Sequence, residues 1–167
     1  TSARDVMMFG IHFNKKNSYL IFLFLLLVFF DQLTKELIIH KFELYQSIKL
    51  LPFLDLTFVI NYGFAFGFLN SPSLNQLIVS TIILSIIFYF LYLLIRTQDH
   101  IFRFSLVLIL SGALGNFLDR IFRGFVVDFI DIYIMSYHWP AFNIADGCIT
   151  CGFMILVFNI LFLNKKI

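Results

Sequence analysis

The run LNQLIVSTIILSIIFYFLYLLI, residues 74–95, decides the class of fold, because its apolar character continues for the whole length of a membrane span. A helix needs about 20 predominantly apolar residues to cross the hydrocarbon core of a bilayer. This run meets that requirement by itself, so we interpret it as a transmembrane helix. Only uncharged polar side chains interrupt it, namely Asn75, Gln76, Ser80, Thr81 and Ser85.

Three further apolar runs lie outside this one, and composition favours the membrane for all of them. Residues 144–163 are long enough to span, whereas the runs that begin at 19 and 104 span only if polar residues at one end are included. Sixty per cent of the 167 residues are apolar, 13% are charged, and mean hydropathy is +0.93. A soluble domain has about a quarter of its residues charged. We therefore predict a membrane all-α fold with four transmembrane helices, forming a single polytopic domain over residues 1–167.

The lysines and arginines divide unequally between the two sides that four spans create. The side with both termini and the loop 96–103 carries seven of the 12, and the other side carries five. The positive-inside rule then places both termini, including the segment 1–16, in the cytoplasm. Residues 40–72 and 121–141 become extracytoplasmic segments.

The extracytoplasmic segments contain the only clear strand signal. Residues 53–60 are rich in β-branched and aromatic side chains, which predicts a strand, and Asn61-Tyr-Gly63 indicates a turn after it. The pattern in 126–131 leaves strand and helix open, since Asp128 and Asp131 would face opposite ways in a strand and share a face in a helix.

Several polar residues stand at the ends of the predicted helices. Charged groups near hydrocarbon cost roughly 2.5–3.5 kcal/mol each on insertion scales and therefore often mark function. Asp31 and Lys35 are four residues apart, which also fits an ordinary helical ion pair. Asn143 and Asp146 open the last helix, which also fits an N-cap followed by an acidic residue favoured by the helix dipole. Neither pair alone separates a structural role from a functional one.

Small and sulfur-containing residues in the predicted helices favour packing. Gly112 and Gly115 lie on one face of the third helix and predict the close approach of a neighbouring helix. Cys148 and Cys151 have CxxC spacing, but they lie in an apolar helix without a second cysteine pair, so we interpret them as packing residues. The four histidines show no metal-ligand spacing. We expect no metal, no cofactor and no nucleic-acid partner.

The predicted topology brings two carboxylates from different segments to one membrane face. Asp128 follows the third helix and Asp146 lies at the start of the fourth. Two close carboxylates cannot both ionise readily, so they share a proton. One can act as a base on water while the other polarises a carbonyl, which is aspartic peptide hydrolysis. The alternatives are a small proton-coupled transporter or channel that uses intramembrane carboxylates, and a non-catalytic membrane scaffold.

Four motifs in a fixed order connect these residues to a known family. They are Asp31-Gln-x-Thr-Lys35; Asn61-x-Gly63-x-Ala-Phe66; Gly112-Ala-Leu-Gly-Asn116-x-x-Asp119-Arg120 with Gly124-x-Val-Val-Asp128-Phe; and Pro140-Ala-Phe-Asn143-x-Ala-Asp146. In this order and between these predicted helices, the motifs resemble those of the lipoprotein signal peptidase, or signal peptidase II, family. The resemblance covers most of residues 18–163.

The resemblance implies a bacterial inner-membrane aspartic endopeptidase that removes the signal peptide from diacylglyceryl-modified prolipoproteins by cleaving before the lipidated cysteine. It implies membrane lipid as a partner, the cyclic peptide globomycin as an inhibitor, and an active site toward the extracytoplasmic face. Within residues 40–72 it implies a small extracytoplasmic β-rich cradle and a helical flap. The implied catalytic pair is Asp128 and Asp146. The implied substrate-binding and supporting residues are Asp31, Lys35, Asn61, Gly63, Asn116, Asp119, Arg120 and Asn143.

Two positions depart from the family's pattern. Ile60 stands where many members have a basic residue, and Phe64 stands where a small residue is frequent. We expect both to reshape the flap or the lipid-facing pocket without contacting the catalytic pair. Phe64, Phe66 and Phe68 are expected to cover the bound peptide.

Overall fold

The computed structural model describes residues 7–8, 11–12, 15–63 and 75–163. Its helices are α1 (Lys15–Lys41), α2 (Asn75–Arg96), α3 (His100–Phe122) and α4 (Ile144–Phe158), the last continued by a π-helical segment (Asn159–Leu163). Its strands are β1 (Met7–Met8), β2 (Ile11–His12), β3 (Ser47–Leu51), β4 (Leu54–Asn61), β5 (Val126–Ile134) and β6 (Tyr137–His138). The predicted helical flap and its phenylalanines, Phe64, Phe66 and Phe68, lie outside the described residues.

Three helices in the described part of the chain are long and apolar enough to cross a membrane. They are Ile78–Arg96, His100–Phe122 and Ile144–Leu163. The prediction of a multi-pass membrane fold with a small antiparallel sheet is confirmed at this level. The fourth predicted span is α1, which has 27 residues but carries Asp31, Lys35 and Glu36 in its second half. A crossing by α1 therefore stays a prediction.

Helix α3 lies at the centre of the bundle, where it contacts α1, α2 and α4. Glycines allow its backbone to approach the neighbouring helices closely. A Cβ atom at Gly152 of α4 would lie 2.7 Å from the carbonyl oxygen of Ser105, and one at Gly115 would lie 2.5 Å from Oδ2 of Asp31. The close helix approach predicted from Gly112 and Gly115 is confirmed, since a Cβ at Gly112 would also clash with the backbone of α4.

The sheet outside the helices has the order β3-β4-β5-β6, and all neighbouring strands are antiparallel. The strand predicted over 53–60 is confirmed as β4. The open choice for 126–131 is decided in favour of a strand, β5. No sequence pattern predicted β3 or β6.

Packing of the sheet on α1 sets the direction in which the side chains of β5 point. Val127 and Phe129 are buried against the end of α1. Because successive side chains of a strand alternate between faces, Asp128 points to the opposite face of β5. The buried cluster that joins the sheet to α1 consists of Ile38, Phe58, Val127 and Phe129.

Candidate active site

Asp128 is a buried carboxylate held by two asparagines. Its side chain lies near the start of β5 and is only 2% exposed. Asn61, at the end of β4, donates from Nδ2 to Oδ2 at 2.9 Å, and Asn143 donates from Nδ2 to Oδ1 at 2.7 Å. The backbone N–H of Gly63 donates to Oδ1 of Asn61 at 2.9 Å, which fixes the orientation of the Asn61 amide. Both oxygens of Asp128 therefore have a defined donor.

Asp146 lies in the first turn of α4, where it completes a capping box. Asn143 is the N-cap residue: its Oδ1 accepts from the N–H of Asp146 at 2.9 Å, and its own N–H donates to Oδ2 of Asp146 at 3.3 Å. The capping interpretation of this pair is confirmed. The other carboxylate oxygen, Oδ1, accepts from Nδ2 of Asn116 at 2.8 Å. Asp146 thus belongs to the helix cap and to the polar cluster together.

The electrostatic environment raises the pKa of Asp128 to about 7. Burial is the main cause, because the charged form loses its hydration. The negative charge of Asp146 acts in the same direction, while the hydrogen bonds from Asn61 and Asn143 favour the charged form and oppose it. A carboxyl group with this pKa exchanges a proton readily near neutral pH.

A buried lysine stands behind this pair of carboxylates. Nζ of Lys35 lies 2.8 Å from Oδ2 of Asp31, 3.0 Å from Oδ2 of Asp119, and 3.0 Å from Oδ1 of Asn116, to which it donates. Lys35 has no exposed surface, so its charge is compensated inside the protein. Asn116 connects this ion cluster to Asp146 through its two ends. The Asp31–Lys35 ion pair expected from their spacing is confirmed, and it continues to the neighbouring helix.

Asp31 and Asp119 also hold backbone groups next to the two central carboxylates. Oδ1 of Asp31 accepts from the N–H of Ala145 at 2.9 Å, in the first turn of α4. Oδ2 of Asp119 accepts from the N–H of Val127 at 3.1 Å, while Nδ2 of Asn143 donates to the carbonyl of Val127 at 3.2 Å. The N–H and the carbonyl of Val127, the residue before Asp128, are therefore both hydrogen-bonded to side chains of the site.

Arg120 is buried and binds carbonyl oxygens of the main chain. It donates from Nη1 to the carbonyl of Asn116 at 3.0 Å and from Nη2 to the carbonyl of Gly63 at 2.5 Å. Its Nε has no hydrogen-bond partner among the described residues. Arg120 therefore joins the end of α3 to the carbonyl of Gly63, just after the turn at Asn61.

All ten site residues predicted from the sequence meet at this end of the bundle. Three others that join them were not predicted as site residues: Gln32, Glu36 and Arg123. Arg123 pairs with both Asp119 and Glu36, and it donates to Oε1 of Gln32 at 3.0 Å. The i,i+4 spacing of Asp119 and Arg123 was the one sequence signal that any of these three residues joins the site, since the contacts of Arg123 with α1 are tertiary.

Other residues considered in the sequence lie apart from the central pair. Asp131 bonds His138 at 2.9 Å in the β5–β6 hairpin. Cys148 and Cys151 are free thiols on α4. Ile60 packs against the cluster under the sheet, whereas Phe64 lies outside the residues that the structure describes.

Comparisons with known proteins agree in one family. A family model described as Signal peptidase (SPase) II matches residues 23–162. A lipoprotein signal peptidase from Francisella tularensis subsp. novicida is 44% identical over 146 residues, which cover 85% of this chain and 91% of the relative. One from Wigglesworthia glossinidia brevipalpis is 38% identical over 146 residues, covering 87% and 93%.

Solved structures give the same result at the level of the fold. A bacterial membrane enzyme determined by the in meso method at 2.3 Å resolution has a TM-score of 0.81 and 34% identity, covering 89% of this chain and 92% of that one. A second, at 1.9 Å resolution, has a TM-score of 0.72 and 34% identity, covering 88% and 95%. Since the family model and both relatives extend over most of the chain, this protein belongs to the signal peptidase II family.

Proposed function

We propose that this protein removes the signal peptide from lipoproteins as an aspartic endopeptidase, with Asp128 and Asp146 as its catalytic residues. The observation that carries the proposal is the position of Asn143, whose side chain and backbone bond both carboxylates. The negative charge of Asp146 also helps to raise the pKa of Asp128, which supports a pair close enough to share one proton, as aspartic hydrolysis requires. Membership of a peptidase family does not favour the alternative of a transporter or channel.

The resting pair holds one proton. We assign this proton to Asp128, whose raised pKa of about 7 favours its protonated form toward neutral pH, and we assign the role of carboxylate to Asp146, which is supported by Asn116 and by the positive charge of Lys35 behind it. Asp146 takes a proton from a water molecule as the water oxygen bonds to the scissile carbonyl carbon. Asp128 gives its proton to the carbonyl oxygen, which forms the tetrahedral intermediate.

Collapse of the intermediate reverses the direction of the protons. The peptide C–N bond breaks, Asp146 delivers its proton to the leaving nitrogen, and Asp128 recovers a proton from the hydroxyl as the new carboxyl group forms. Asn61 and Asn143 keep both oxygens of Asp128 in place throughout. The bound Val127 backbone keeps β5 from shifting relative to α4.

The substrate is a diacylglyceryl-modified prolipoprotein, cleaved before the lipidated cysteine. Asp146 lies in the first turn of α4 and Asp128 lies near the start of β5, shortly after the end of α3, so both carboxylates stand where the helices leave the hydrocarbon of the bilayer for the interface. Acyl chains on the cysteine would hold the scissile bond at that depth. Membrane lipid is then a partner as well, because these acyl chains lie among those of the bilayer. A globomycin-type cyclic peptide is the inhibitor class that we expect to occupy the same site.

Four spans, including α1, give the topology that fits this function. The charged residues of α1 do not argue against a crossing, because Asp31 is 1% exposed, Lys35 is fully buried, and they pair inside the bundle. The excess of lysine and arginine beside the termini favours an orientation in a bacterial inner membrane with both termini on the cytoplasmic side. The sheet and the carboxylate pair then lie on the extracytoplasmic side, and the chain is one polytopic domain.

Cleavage of a purified lipidated prolipoprotein by the parent and by Asp128→Asn and Asp146→Asn tests the assignment. Each substitution keeps size and polarity but removes one member of the acid–base pair, so we expect turnover to fall by at least about a hundredfold. Thermal unfolding in detergent reports whether each variant is folded. Asp131→Asn is the matched control, since Asp131 lies on the same strand but bonds His138, and its turnover should stay near that of the parent. Near-normal turnover of either dyad variant would contradict the proposal.

A further inference from the structure

Two hairpin turns lie side by side at the end of the sheet that is remote from the carboxylate pair. The β3–β4 turn includes Leu51 and Phe53, and the β5–β6 turn includes Ile134 and Met135. They are neighbours because the N–H of Tyr133 donates to the carbonyl of Phe53 at 3.0 Å. We call this end the hairpin tip, defined by Leu51, Phe53, Ile134, Met135, Tyr137 and Trp139.

The hairpin tip exposes large apolar and aromatic side chains where a water-facing turn normally carries polar ones. Met135 is 94% exposed, Ile134 is 72% exposed and Tyr137 is 69% exposed. The sequences of the two turns, 50–54 and 132–137, contain no charged residue. These side chains do not belong to the described membrane helices, so lipid around the bundle does not account for them.

Met135 adds an observation from the backbone. Its φ is +56°, in the left-handed region that glycine and asparagine adopt more easily than other residues. A bulky, unbranched apolar side chain is thus presented outward at a position where its own backbone conformation is unfavourable. The two-residue turn between the paired residues Ile134 and Tyr137 requires a positive φ at its first residue, so the hairpin itself holds the exposed Met135 side chain at a fixed place at the end of the sheet.

Apart from Asp128, the charged and titratable side chains in the outer part of the sheet share one face, set back from the tip. Lys49 is opposite Asp55, Asp55 is opposite Asp131, and Asp131 bonds His138 at 2.9 Å. Residues paired directly across strands share a face, so these four form one polar row across the sheet. The sheet is therefore amphipathic along its length, with an apolar end beyond a charged row.

We propose that the hairpin tip docks onto the bilayer and inserts its side chains at the boundary between lipid headgroups and acyl chains. The connections of the sheet to α1, α3 and α4 are only residues 42–46, 123–125 and 139–143, so the sheet stays within reach of the lipid surface. The strand β5 is roughly 26 Å long at about 3.3 Å per residue. This length exceeds the diameter of an α-helix, about 10–12 Å, so the tip lies well to the side of the end of α3 that precedes the strand.

The chemistry of the tip fits lipid. Tryptophan and tyrosine favour the membrane interface, where one end of the ring is apolar and the other is hydrated. Trp139 and Tyr137 supply these rings, and Met135 and Ile134 supply the apolar side chains that go deeper. The polar row that includes Asp131 and His138 remains among headgroups and water. This docking fixes the tilt of the sheet, and it does not depend on which residues are catalytic.

Trp139 is the only tryptophan of the chain and reports on the tip without a label. The test uses the full-length protein in vesicles of phosphatidylcholine and phosphatidylglycerol, with bromine atoms at different depths of the acyl chains. Because interfacial segments lie about 5–10 Å into the headgroup–acyl boundary, we expect shallow bromines to quench Trp139 at least roughly twofold more than bromines near the chain ends. Aqueous iodide should quench it weakly.

A matched control places the reporter on the polar face of the same sheet. In a Trp139→Phe background, the tryptophan of a Ser47→Trp variant should be quenched by iodide and not by brominated lipid. Ser47 is exposed, pairs across the strands with Thr57, and lies on the same face of the sheet as the polar row. Strong iodide quenching of Trp139 in the parent, without lipid quenching, would overturn the proposal. Protection of Trp139 from both quenchers would assign the tip to a protein contact, such as a second copy, and would overturn it equally.

A charge at the tip provides an independent measurement. Met135→Asp should reduce the quenching of Trp139 by brominated lipid, because a carboxylate resists entry into the acyl region. Met135→Leu keeps the apolar side chain and should preserve the quenching. Equal quenching in both variants would contradict insertion of the tip.

Discussion

Asn143 shows how one residue connects structure to the proposed chemistry. Its Oδ1 and N–H form the cap of α4 with Asp146, while its Nδ2 reaches Asp128 at 2.7 Å, the carbonyl of Val127 at 3.2 Å and Oδ1 of Asn116 at 3.2 Å. The capping interpretation of the Asn143–Asp146 pair is therefore confirmed, and the contact of Asn143 with Asp128 is the basis for proposing a functional one. A helix cap is rigid, and that rigidity positions a carboxylate.

The raised pKa of Asp128 predicts a stability that depends on pH. Its pKa is about 7 in the folded protein against an ordinary 3.8, so between these values the native state binds more protons than the unfolded state. The free energy of unfolding then falls as pH rises through this window. Asparagine at position 128 mimics the protonated form and does not titrate. We expect Asp128→Asn to match the parent in melting temperature below about pH 4, where Asp128 is protonated in both states, and to exceed it increasingly up to about pH 8.

The measurement is thermal unfolding of both proteins in the same detergent at the two pH values. A constant difference between variant and parent would show that Asp128 does not carry the raised pKa. The cleavage rate of the parent should fall over the same upper range, because loss of the shared proton from Asp128 removes the general acid.

Arg120 permits a second prediction at the residue scale. Arg120→Ala removes the hydrogen bonds to the carbonyls of Gly63 and Asn116 and leaves buried acceptors unsatisfied. We expect the free energy of unfolding to fall by about 1–3 kcal/mol, together with the cleavage rate. Denaturant unfolding and initial rates on the same preparation check this. A large loss of rate at unchanged stability would show instead that Arg120 binds the substrate.

The residues of the site could be foreseen from sequence to the extent that a helix or a motif places them. Asp31 and Lys35 follow from their spacing, and Asp119 and Arg120 follow from the family motif. Gln32, Glu36 and Arg123 could not be foreseen as site residues, because their side chains meet only when α1 packs against α3. The sequence also left open which face Asp128 occupies, and the contact of Val127 and Phe129 with α1 decides it.

At the scale of elements, the α3–α4 contact predicts opposite results for two glycines. A Cβ at Gly152 would meet the carbonyl oxygen of Ser105 at 2.7 Å and Ile109 Cγ1 at 2.8 Å, whereas a Cβ at Gly147 would have no such neighbour within 4 Å. Gly152→Ala should lower the free energy of unfolding by about 1–3 kcal/mol, because a methyl group overpacks the contact. Thermal unfolding in detergent measures the change.

Gly147→Ala is the matched control on the same helix. The stability of this variant should be unchanged or slightly raised, since alanine stabilises a helix by about 1 kcal/mol relative to glycine. If both substitutions gave the same change, helix propensity rather than helix contact would determine the effect.

The elements themselves were foreseen where runs of apolar or β-branched residues are long, as in α2 and β4. β3 and β6 were not, because β6 is only two residues long and β3 is exposed throughout.

At the scale of the whole molecule, the position of the carboxylate pair beside the ends of α3 and α4 predicts selection of substrate by its lipid. A scissile bond beside a diacylglyceryl cysteine is confined to the depth of Asp128 and Asp146. Confinement removes much of the entropic cost of the encounter, so an unlipidated prolipoprotein of identical sequence should be cleaved at least roughly a hundredfold more slowly. Initial rates for the two substrates in the same nanodiscs measure the effect. Equal rates would show that lipid takes no part in recognition.

The overall architecture was largely foreseeable because bilayer thickness constrains the length of each apolar run. Composition alone could not decide α1, whose second half is charged and whose charges are compensated by the Asp31–Lys35 pair together with tertiary contacts to Asn116 and Asp119. The orientation of the sheet was equally beyond the sequence, since it depends on packing between segments far apart in the chain.

The close contact between α3 and α4 has a consequence for traffic within the membrane. At Gly112 and Gly152 the two backbones leave no room even for a methyl group. A signal peptide that diffuses laterally in the bilayer cannot pass between these two helices without separating them. Entry of the signal peptide and exit of the cleaved fragment must therefore use other openings around the bundle. Any helix movement that opens such a path would occur relative to the closely packed pair of α3 and α4.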